Sequence, residues 1–266
     1  MSTPPPLPDA RAIRLAVVAA VNRREVLAEN LAASPMIAQA GVPLMVEEGH
    51  ATAGLAYNAG LARCDADVVI FAHQDVYFPA GWEANLRDAL RVLEHIEPAW
   101  AVLGVTGRDL AGLPVGRVWS TGLCMEVGEP VTQPTLTGSV DEMVIVLRVN
   151  AGLRFDEQLP GYHLYGTDIV LQAMQAGLGA YVIHAPAVHN SNKVRRLDRQ
   201  YGRAYRYMVG KWRDRLPWTT CVAKLTRCGL PLWKLRWRMW RGKMRNHDEV
   251  PARRSGAAWA RELKWE

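Results

Sequence analysis

Cysteine is scarce in this chain of 266 residues, and its four cysteines are scattered. They form no C-x-x-C pair and show no metal-finger spacing, so the sequence has no recognisable cysteine metal centre or disulfide framework. Scattered cysteines are typical of reduced thiols in a cytosolic protein. We therefore expect a cytoplasmic protein whose thiols carry no chemistry; they are Cys64, Cys124, Cys221 and Cys228.

Long apolar runs are missing as well. The longest ones, such as LAVVAAV at 15–21, fall far short of the roughly 20 residues that a membrane-spanning helix needs. The first residues, MSTPPPLPDARAIR, lack the basic region and the apolar core of a secretory signal. We expect residues 1–11 to form a disordered, proline-rich leader.

Glycine is absent from the segment that follows the first apolar run, which is VNRRE at 21–25. The phosphate-binding patterns G-x-G-x-x-G and G-x-x-x-x-G-K-[ST] are both missing there. This absence argues against a dinucleotide-binding Rossmann domain and against a P-loop enzyme. It also argues against the sugar nucleotidyltransferases, which carry a glycine-rich loop at this place.

Strand and helix patterns alternate through residues 12–191. Continuous apolar runs predict strands that are buried on both faces, and apolar residues at helical spacing predict helices between them. Such alternation predicts an α/β domain in which helices flank a mainly parallel sheet. The predicted strands are 14–21, 42–46, 68–72 and 100–105, and the predicted helices are 25–33, 52–63 and 82–96.

The third predicted strand ends in the polar triplet His73-Gln74-Asp75. An aspartate in this position can cap the turn that follows a strand. It can also bind a ligand, because open α/β sheets bind ligands at the carboxyl ends of their strands. The triplet alone does not decide between the two roles.

The order of motifs in this chain resembles that of the family 2 glycosyltransferases, which have the GT-A fold. N-A-G at 58–60 precedes the strand that ends at Asp75, and F-D-E at 155–157 precedes T-D at 167–168. The family has N-x-G, a D-x-D-like motif, F-D-E and an E-D pair in the same order. The resemblance covers residues 12–191 and implies an inverting enzyme that transfers a sugar from a nucleotide-diphosphate donor to a hydroxyl group.

The resemblance also implies a divalent cation that neutralises the diphosphate of the donor. Asp75 matches the last acid of the D-x-D-like motif, and His73 stands where the family has the first acid. His189 follows a later predicted strand, where several GT-A enzymes place a metal-binding histidine. Oxygen ligands suit magnesium or manganese, and an imidazole favours manganese. We expect a site for one of these ions at Asp75, His189 and His73.

Donor-binding residues are predicted at the ends of the first two strands and in the second helix. The resemblance places Asn22 and Glu47 against the base and the ribose, although Asn22 could equally cap a helix and Glu47 could be a solvated carboxylate. Asn58 lies in mid-helix, where asparagine is a poor helix former, so a ligand role is favoured.

Three further residues are candidates for contacts with the donor. Asp141 and Glu142 precede the apolar run MVIVLRV, where they either contact the sugar or cap an exposed edge. Lys193 could contact the diphosphate as a point charge. Neither role of the acidic pair is favoured over the other.

Asp168 is the predicted catalytic base, because T-D at 167–168 falls where the family has its E-D pair. A base must take the proton of the acceptor hydroxyl as its oxygen attacks the sugar. The same residues suit the N-terminus of a helix. Both roles are compatible, since a helix N-terminus stabilises a charged carboxylate.

Charge and tryptophan are distributed unevenly. Residues 192–266 hold 21 basic and 6 acidic residues and seven of the ten tryptophans, whereas residues 1–191 hold 11 basic and 20 acidic residues. We expect a GT-A-like domain at 12–191 and a basic helical extension at 192–266. Trp233, Trp237 and Trp240 follow one face of a predicted helix with cations between them.

A basic helix with tryptophan on its apolar face is typical of an interfacial membrane helix. The alternatives are a helix that packs on the body and a segment that binds single-stranded RNA. We favour an anionic membrane surface and do not expect a nucleic acid partner, because many acceptors of the family are lipid-linked sugars or cell-surface glycans. This interpretation implies peripheral attachment to the inner face of the plasma membrane.

A second function from another class is a noncatalytic adaptor. Such a protein would bind a membrane or nucleic acid through the basic extension and keep a degenerate transferase body. The presence of Asn58, Asp75 and Asp168 together favours the enzyme.

Overall fold

The computed structural model describes residues 4–9, 12–192, 197–242 and 254–266. The strands are β1 (Leu15–Val21), β2 (Leu44–Glu48), β3 (Val68–Ala72), β4 (Val76–Tyr77), β5 (Trp100–Gly104), β6 (Thr106–Asp109), β7 (Pro114–Gly116), β8 (Val118–Ser120), β9 (Met125–Val127), β10 (Thr135–Val140), β11 (Val144–Arg148), β12 (Gly179–Val182) and β13 (Ala187–His189). The helices are α1 (Arg24–Glu29), α2 (Pro35–Ala38), α3 (Ala53–Arg63), α4 (Trp82–Ile96), α5 (Tyr165–Gln175), α6 (Arg199–Lys211), α7 (Leu230–Trp240) and α8 (Gly256–Glu262).

The larger sheet has nine strands in the order β2-β1-β3-β11-β5-β12-β10-β6-β7. The α/β class with helices on a large sheet is confirmed, but the sheet is mixed rather than mainly parallel. The pairs β1–β2, β1–β3 and β5–β12 are parallel, whereas β11 runs antiparallel to both β3 and β5. A fully buried apolar run such as β11 looks the same in either direction, so its sequence did not reveal this.

Helices cover both faces of this sheet, and the side chains of each central strand alternate between two cores. Val17 and Ala19 of β1 face one core and Val18 faces the other. This two-sided burial explains why β1, β3, β5 and β11 are almost purely apolar. The strand ends, which leave the core, are therefore the places where polar side chains can meet.

Helix α4 shows how the sequence sets one of these layers. Trp82, Leu86, Leu90 and Leu93 recur at helical spacing and are all buried. The Trp82 indole N–H donates to the carbonyl of Ala185 at 3.1 Å, so its one polar atom is paired in the core. Burial of each such side chain contributes about 1.5–3 kcal/mol. The helix begins and ends where the sequence predicts.

A smaller sheet continues from the ends of the larger one, in the order β4-β13-β8-β9. Strand β4 follows β3 directly, and β13 pairs with β4 in antiparallel register, with Val188 opposite Tyr77 and His189 opposite Val76. This pairing brings the residue before β4, which is Asp75, close to the last residue of β13.

The terminal segments lie against the body. Residues 4–9 belong to the expected leader, yet the Leu7 N–H donates to the Glu94 carboxylate at 3.0 Å and the Pro5 carbonyl accepts from Arg148. Helix α6 belongs to the expected extension, yet its Tyr201 and Met208 are buried in the same core as helix α5. Residues 4–9 and helix α6 thus both make contacts with the domain at 12–191.

Helix α7 packs through one face and exposes the other. Leu232 is buried against the core, whereas Trp233, Trp237 and Trp240 are 61%, 40% and 70% exposed. The rings of Trp233 and Trp237 are stacked at 6.3 Å, and the Arg241 guanidinium lies over the Trp237 ring at 4.2 Å. Among the described helices, none combines the length and the hydropathy needed to cross a bilayer.

Candidate active site

The three predicted metal ligands form a cluster at the junction of the two sheets. His73 follows β3, Asp75 precedes β4 and His189 ends β13, and one ligand atom from each lies within 4.8 Å of the others. The His189 Nε2 atom is 3.4 Å from the Asp75 Oδ1 atom. One carboxylate oxygen and two imidazole nitrogens at this spacing could hold a single divalent cation. The three side chains come together because β4 and β13 pair in the register described above.

A tyrosine that the sequence did not single out orients His73. The His73 Nε2 atom is 2.8 Å from the Tyr165 hydroxyl, and this hydroxyl donates to the carbonyl of Glu142 at 2.9 Å. Because the hydroxyl proton is already given to Glu142, we assign the ring proton to Nε2 of His73. That tautomer leaves Nδ1 available to a cation, which is the usual way in which an outer hydrogen bond prepares a metal-binding histidine.

Burial and neighbouring charges set the ionisation of the cluster. Burial lowers the pKa of His73, which favours the neutral form that binds metals. Burial alone would raise the pKa of Asp75, but the charge of His189 and its hydrogen bond hold this pKa well below its usual range. Burial would lower the pKa of His189, and the charge of Asp75 and the same hydrogen bond raise it instead. Asp75 is therefore a carboxylate at neutral pH.

A cavity of about 530 Å³ opens beside the cluster at the carboxyl ends of β1 and β3. Its size is that of an ordinary small-molecule site. Parallel neighbouring strands end on the same edge of the sheet, so polar groups from both loops converge there. The cavity is lined by Ala20, Val21, Asn22, Gly49, His50, Tyr57, His73, Gln74, Asp75, Tyr162 and Gln200.

Asn22 lines the cavity and is tied to Gln74. The Gln74 amide donates to Asn22 Oδ1 at 2.6 Å, and its own oxygen accepts from the backbone N–H groups of Asn22 and Arg23 at 3.1 and 3.0 Å. This pair joins the loop after β1 to the loop after β3. Gln74 lies between the two predicted ligands in the chain, and that position was the one signal that could have marked it.

Glu47 is buried rather than solvated, so one alternative from the sequence is wrong. Its residue exposure is 6%, and its carboxylate accepts from the Arg63 guanidinium and lies 3.1 Å from His50 Nε2. His50 lines the cavity, whereas Glu47 is not among the lining residues and contacts His50 instead. The placement supports an indirect role in which Glu47 orients the imidazole of His50.

Asn58 joins helix α3 to the F-D-E segment. Its amide donates to the Phe155 carbonyl at 2.9 Å and to the Glu157 carboxylate at 3.0 Å, and its oxygen accepts from the Phe155 N–H at 3.0 Å. The side chain therefore fixes the segment that leads towards α5. Its predicted contact with the donor stays a prediction.

Asp168 is the buried carboxylate of an ion-pair cluster. Its side chain is 1% exposed, and the Lys211 ammonium is 2.8 Å from its Oδ1 atom and 2.6 Å from Asp156. The Trp212 indole N–H and the Gln172 amide donate to the same carboxylate, each at 2.7 Å. These contacts tie the start of α5 to the end of α6. The base role of Asp168 stays a prediction, and it requires an acceptor to reach a carboxylate that protein donors surround.

Glu142 is linked to the metal cluster through the start of α5, because its carbonyl accepts from the Tyr165 hydroxyl that contacts His73. Its carboxylate accepts from the Leu164 N–H at 2.6 Å, and Leu164 has a left-handed backbone with φ of 66°. A Cβ atom on Gly166 would lie 2.5 Å from the Val140 carbonyl oxygen, so a side chain does not fit there. Burial and the charge of Asp141 raise the pKa of Glu142 to about 8. Strained backbone beside a perturbed carboxyl group is typical of functional sites.

Two predicted donor-binding residues, Asp141 and Lys193, remain. The Asp141 carboxylate accepts from the N–H of Met143 at 3.1 Å, which is a local turn contact. Lys193 lies outside the described residues.

Comparisons with known proteins give distant likenesses. No protein-family model matches the chain. A Fuscovulum blasticum protein described as "ATP synthase subunits region ORF 6" is 27% identical over 178 residues, which are 64% of this chain and 70% of that protein. Its description names no activity.

Three solved structures resemble the chain at low identity. The mannosyltransferase PcManGT from Pyrobaculum calidifontis, solved with GDP-Man and Mn²⁺, has a TM-score of 0.48 and 13% identity, over 90% of this chain and 73% of that one. S. aureus TarS 1–349 has a TM-score of 0.41 and 12% identity, over 75% and 65%. A197 from STIV has a TM-score of 0.41 and 10% identity, over 65% and 83%. Likenesses at this level do not assign an activity.

Proposed function

We propose that the protein is a metal-assisted glycosyltransferase of the GT-A type, which transfers a sugar from a nucleotide-diphosphate donor to a hydroxyl group with inversion. The observation that carries the proposal is the cluster of His73, Asp75 and His189 at the rim of the cavity. A divalent cation bound there would neutralise the diphosphate as it leaves the sugar. The motif order that resembles family 2 supports the same reaction.

The cavity beside the cluster suits the nucleotide part of the donor. Asn22, His50 and Gln200 offer polar groups next to the aromatic ring of Tyr162. A few polar groups beside an aromatic ring are what a base and a ribose need for orientation. The diphosphate would then lie towards Asp75, and the sugar beyond it.

For the base we propose Glu142, with Asp168 as the alternative. Glu142 accepts one hydrogen bond from the chain, whereas three side chains surround Asp168. The Glu142 main chain also binds the Tyr165 hydroxyl that contacts His73, so its position follows that of the metal cluster. Glu142 would accept the proton of the acceptor hydroxyl while that oxygen attacks the anomeric carbon.

A thermal-shift comparison tests the metal site. The wild-type protein should melt at a temperature about 5–10 °C higher with saturating UDP or GDP plus Mn²⁺, because about 100-fold excess over the Kd adds about 2.7 kcal/mol. Asp75→Asn should lose the manganese-dependent part of this shift and keep the melting temperature of the free protein. The control is Asp214→Asn, because Asp214 is an exposed aspartate in the segment after α6. An equal manganese-dependent shift in Asp75→Asn and wild type would remove Asp75 from the site.

We also propose that helix α7 attaches this cytoplasmic protein to an anionic membrane, where its acceptor would be a lipid-linked sugar or a growing surface glycan. The exposed stripe of Trp233, Trp237 and Trp240 carries the proposal, since packing uses the opposite face. Cations around the stripe would add about 1 kcal/mol each near an anionic surface, less as salt rises. The adaptor function would use the same surface but no donor.

Replacing the three tryptophans with alanine should weaken binding to vesicles that contain phosphatidylserine by at least about tenfold, because apolar burial is lost while the charge is kept. The melting temperature should stay within about 2 °C of wild type, since exposed side chains contribute little to the fold. Leu232→Ala, on the packed face, should lower the melting temperature and leave vesicle binding unchanged. Cosedimentation and melting curves measure both effects. A triple variant that melts early and binds vesicles normally would show that the stripe packs instead.

A further inference from the structure

The described C-terminal segment, residues 254–266, packs on the smaller sheet, against the strand that follows Asp75 and the strand that ends in His189. Trp259 and Ala260 of α8 are 6% and 0% exposed and form one core with Tyr77 and Val188. Tyr77 and Val188 are paired across β4 and β13. The segment therefore covers the strand pair on which Asp75 and His189 depend.

The covered pair is adjacent to both ligands in the chain. Val188 immediately precedes His189, and Tyr77 follows Asp75 by two residues. Successive side chains along a strand point to opposite faces, so contacts with Val188 hold β13 from the face opposite to His189. Contacts with Tyr77 hold β4 two residues after Asp75. A shift of either strand would move its ligand by a similar distance.

Polar contacts connect the segment to the ligand backbones as well. The Asn190 amide donates to the carbonyl of Arg254 at 2.8 Å, and the Asn190 N–H donates to the carbonyl of Asp75 at 2.8 Å. The same Asn190 amide also donates to Asn30 Oδ1 at 2.8 Å, and this oxygen accepts from the Gly256 N–H at 3.1 Å. Asn190 thus links the segment, the loop after α1 and the backbone of Asp75.

Gly256 allows the closest approach. A Cβ atom added there would lie 2.3 Å from the Cβ atom of Tyr77 and 2.8 Å from its Cγ atom, which no side chain can tolerate without a shift. The start of α8 therefore rests on Tyr77 with no space between them. Even an alanine at this position has to push either α8 or the strand that follows Asp75.

We infer that residues 254–266 are a positioning element for the metal site, in which Gly256 and Trp259 hold β4 and β13 so that Asp75 and His189 can bind one cation together. The inference rests on the proposed metal site. Residues 254–266 would thus affect metal binding by ligands that lie far away in sequence. Residues that position metal ligands commonly change metal affinity by about 10–100-fold when replaced.

The test is the Mn²⁺ dissociation constant of the full-length protein, measured by electron paramagnetic resonance of the free ion. Gly256→Ala and Trp259→Ala should each raise this constant by about tenfold or more. Gly210→Ala is the matched control, because a Cβ atom at Gly210 in α6 meets nothing within 4 Å. Circular dichroism should show that all three variants are folded, since among the described residues Gly256 and Trp259 contact only the smaller sheet and its neighbours and a Cβ atom at Gly210 makes no contact.

Each outcome has one meaning. A wild-type protein that binds Mn²⁺ together with unchanged constants in both variants overturns the positioning role and leaves the metal site intact. A wild-type protein that does not bind Mn²⁺ overturns the metal site and this inference with it. Weakened binding in Gly256→Ala and Trp259→Ala, but neither in Gly210→Ala nor in Leu232→Ala, supports the positioning role, because Leu232→Ala lowers stability in a core away from the smaller sheet.

Discussion

Lys211→Met is expected to lower the free energy of unfolding by about 3 kcal/mol, because it leaves the buried carboxylate of Asp168 without its cation. The Lys211 ammonium is 2.6 Å from the Asp156 carboxylate and 2.8 Å from that of Asp168, whose side chain is 1% exposed. Methionine keeps most of the stem of lysine but loses the ammonium, which lies 5.3 Å from the centre of the Trp212 ring. The loss would come from the uncompensated charge and appears as a shift of the midpoint in guanidinium denaturation.

Lys224→Met is the matched control, since Lys224 is exposed and lies on the same extension. It should change the free energy of unfolding by no more than about 0.5 kcal/mol. Adding Asp168→Asn to Lys211→Met should recover part of the loss, because one of the two unpaired charges is then removed. A loss below about 1 kcal/mol in Lys211→Met, the size expected of a surface ion pair, would contradict a buried cluster.

The pH dependence of this loss has a definite direction. Burial would raise the pKa of Asp156, but the hydrogen bonds from Lys211 and Tyr207 bring it below its ordinary value of 3.8. A carboxyl group whose pKa is lower in the folded state contributes its stability above the unfolded pKa and loses it as the pH falls through the folded pKa. The difference between Lys211→Met and wild type should therefore be full at neutral pH and shrink below about pH 4.

The sequence was sufficient for the elements that burial alone determines. The runs at 68–72 and 82–96 coincide with β3 and α4. A short continuous apolar run commonly forms a buried strand, and apolar residues at helical spacing commonly form an amphipathic helix. Asp75 and His189 are polar residues after apolar strands, and the resemblance to family 2 implies their role as metal ligands. Their proximity depends on the pairing of β4 with β13, which leaves no local trace in the sequence.

Other parts of the site depend on contacts between distant segments. T-D at 167–168 has the same helix-start pattern whether its carboxylate faces solvent or a lysine, and Lys211 comes from another helix. The roles of Tyr165 and Gln74 follow from a ring nitrogen and two backbone groups that come close only in the folded chain. Residue 256 is a glycine among many, and its packing on Tyr77 has no sequence pattern at all.

Glu142→Gln is expected to lower turnover by about 100-fold or more while donor binding stays close to that of wild type. Glutamine keeps the shape of the side chain and can still accept the Leu164 N–H, but it cannot take a proton. Asp168→Asn is the comparison, because the same chemical change is made in the ion-pair cluster. Its main effect should be on the melting temperature, since it alters the partners of Lys211 and Trp212. Single-turnover rates and calorimetric titration of the nucleotide separate the two effects.

The pH profile gives Glu142 a signature that a structural residue would not have. Burial and the charge of Asp141 raise the pKa of Glu142 to about 8, so most of the protein carries a protonated Glu142 at neutral pH. A base works only when deprotonated, so the rate should rise about tenfold per pH unit below this pKa and level off above it. Glu142→Gln should have a low rate without this rise, whereas Asp168→Asn should keep the rise. If instead Asp168→Asn lowers the rate at an unchanged melting temperature and Glu142→Gln does not, then Asp168 is the base and Glu142 belongs to the sugar site.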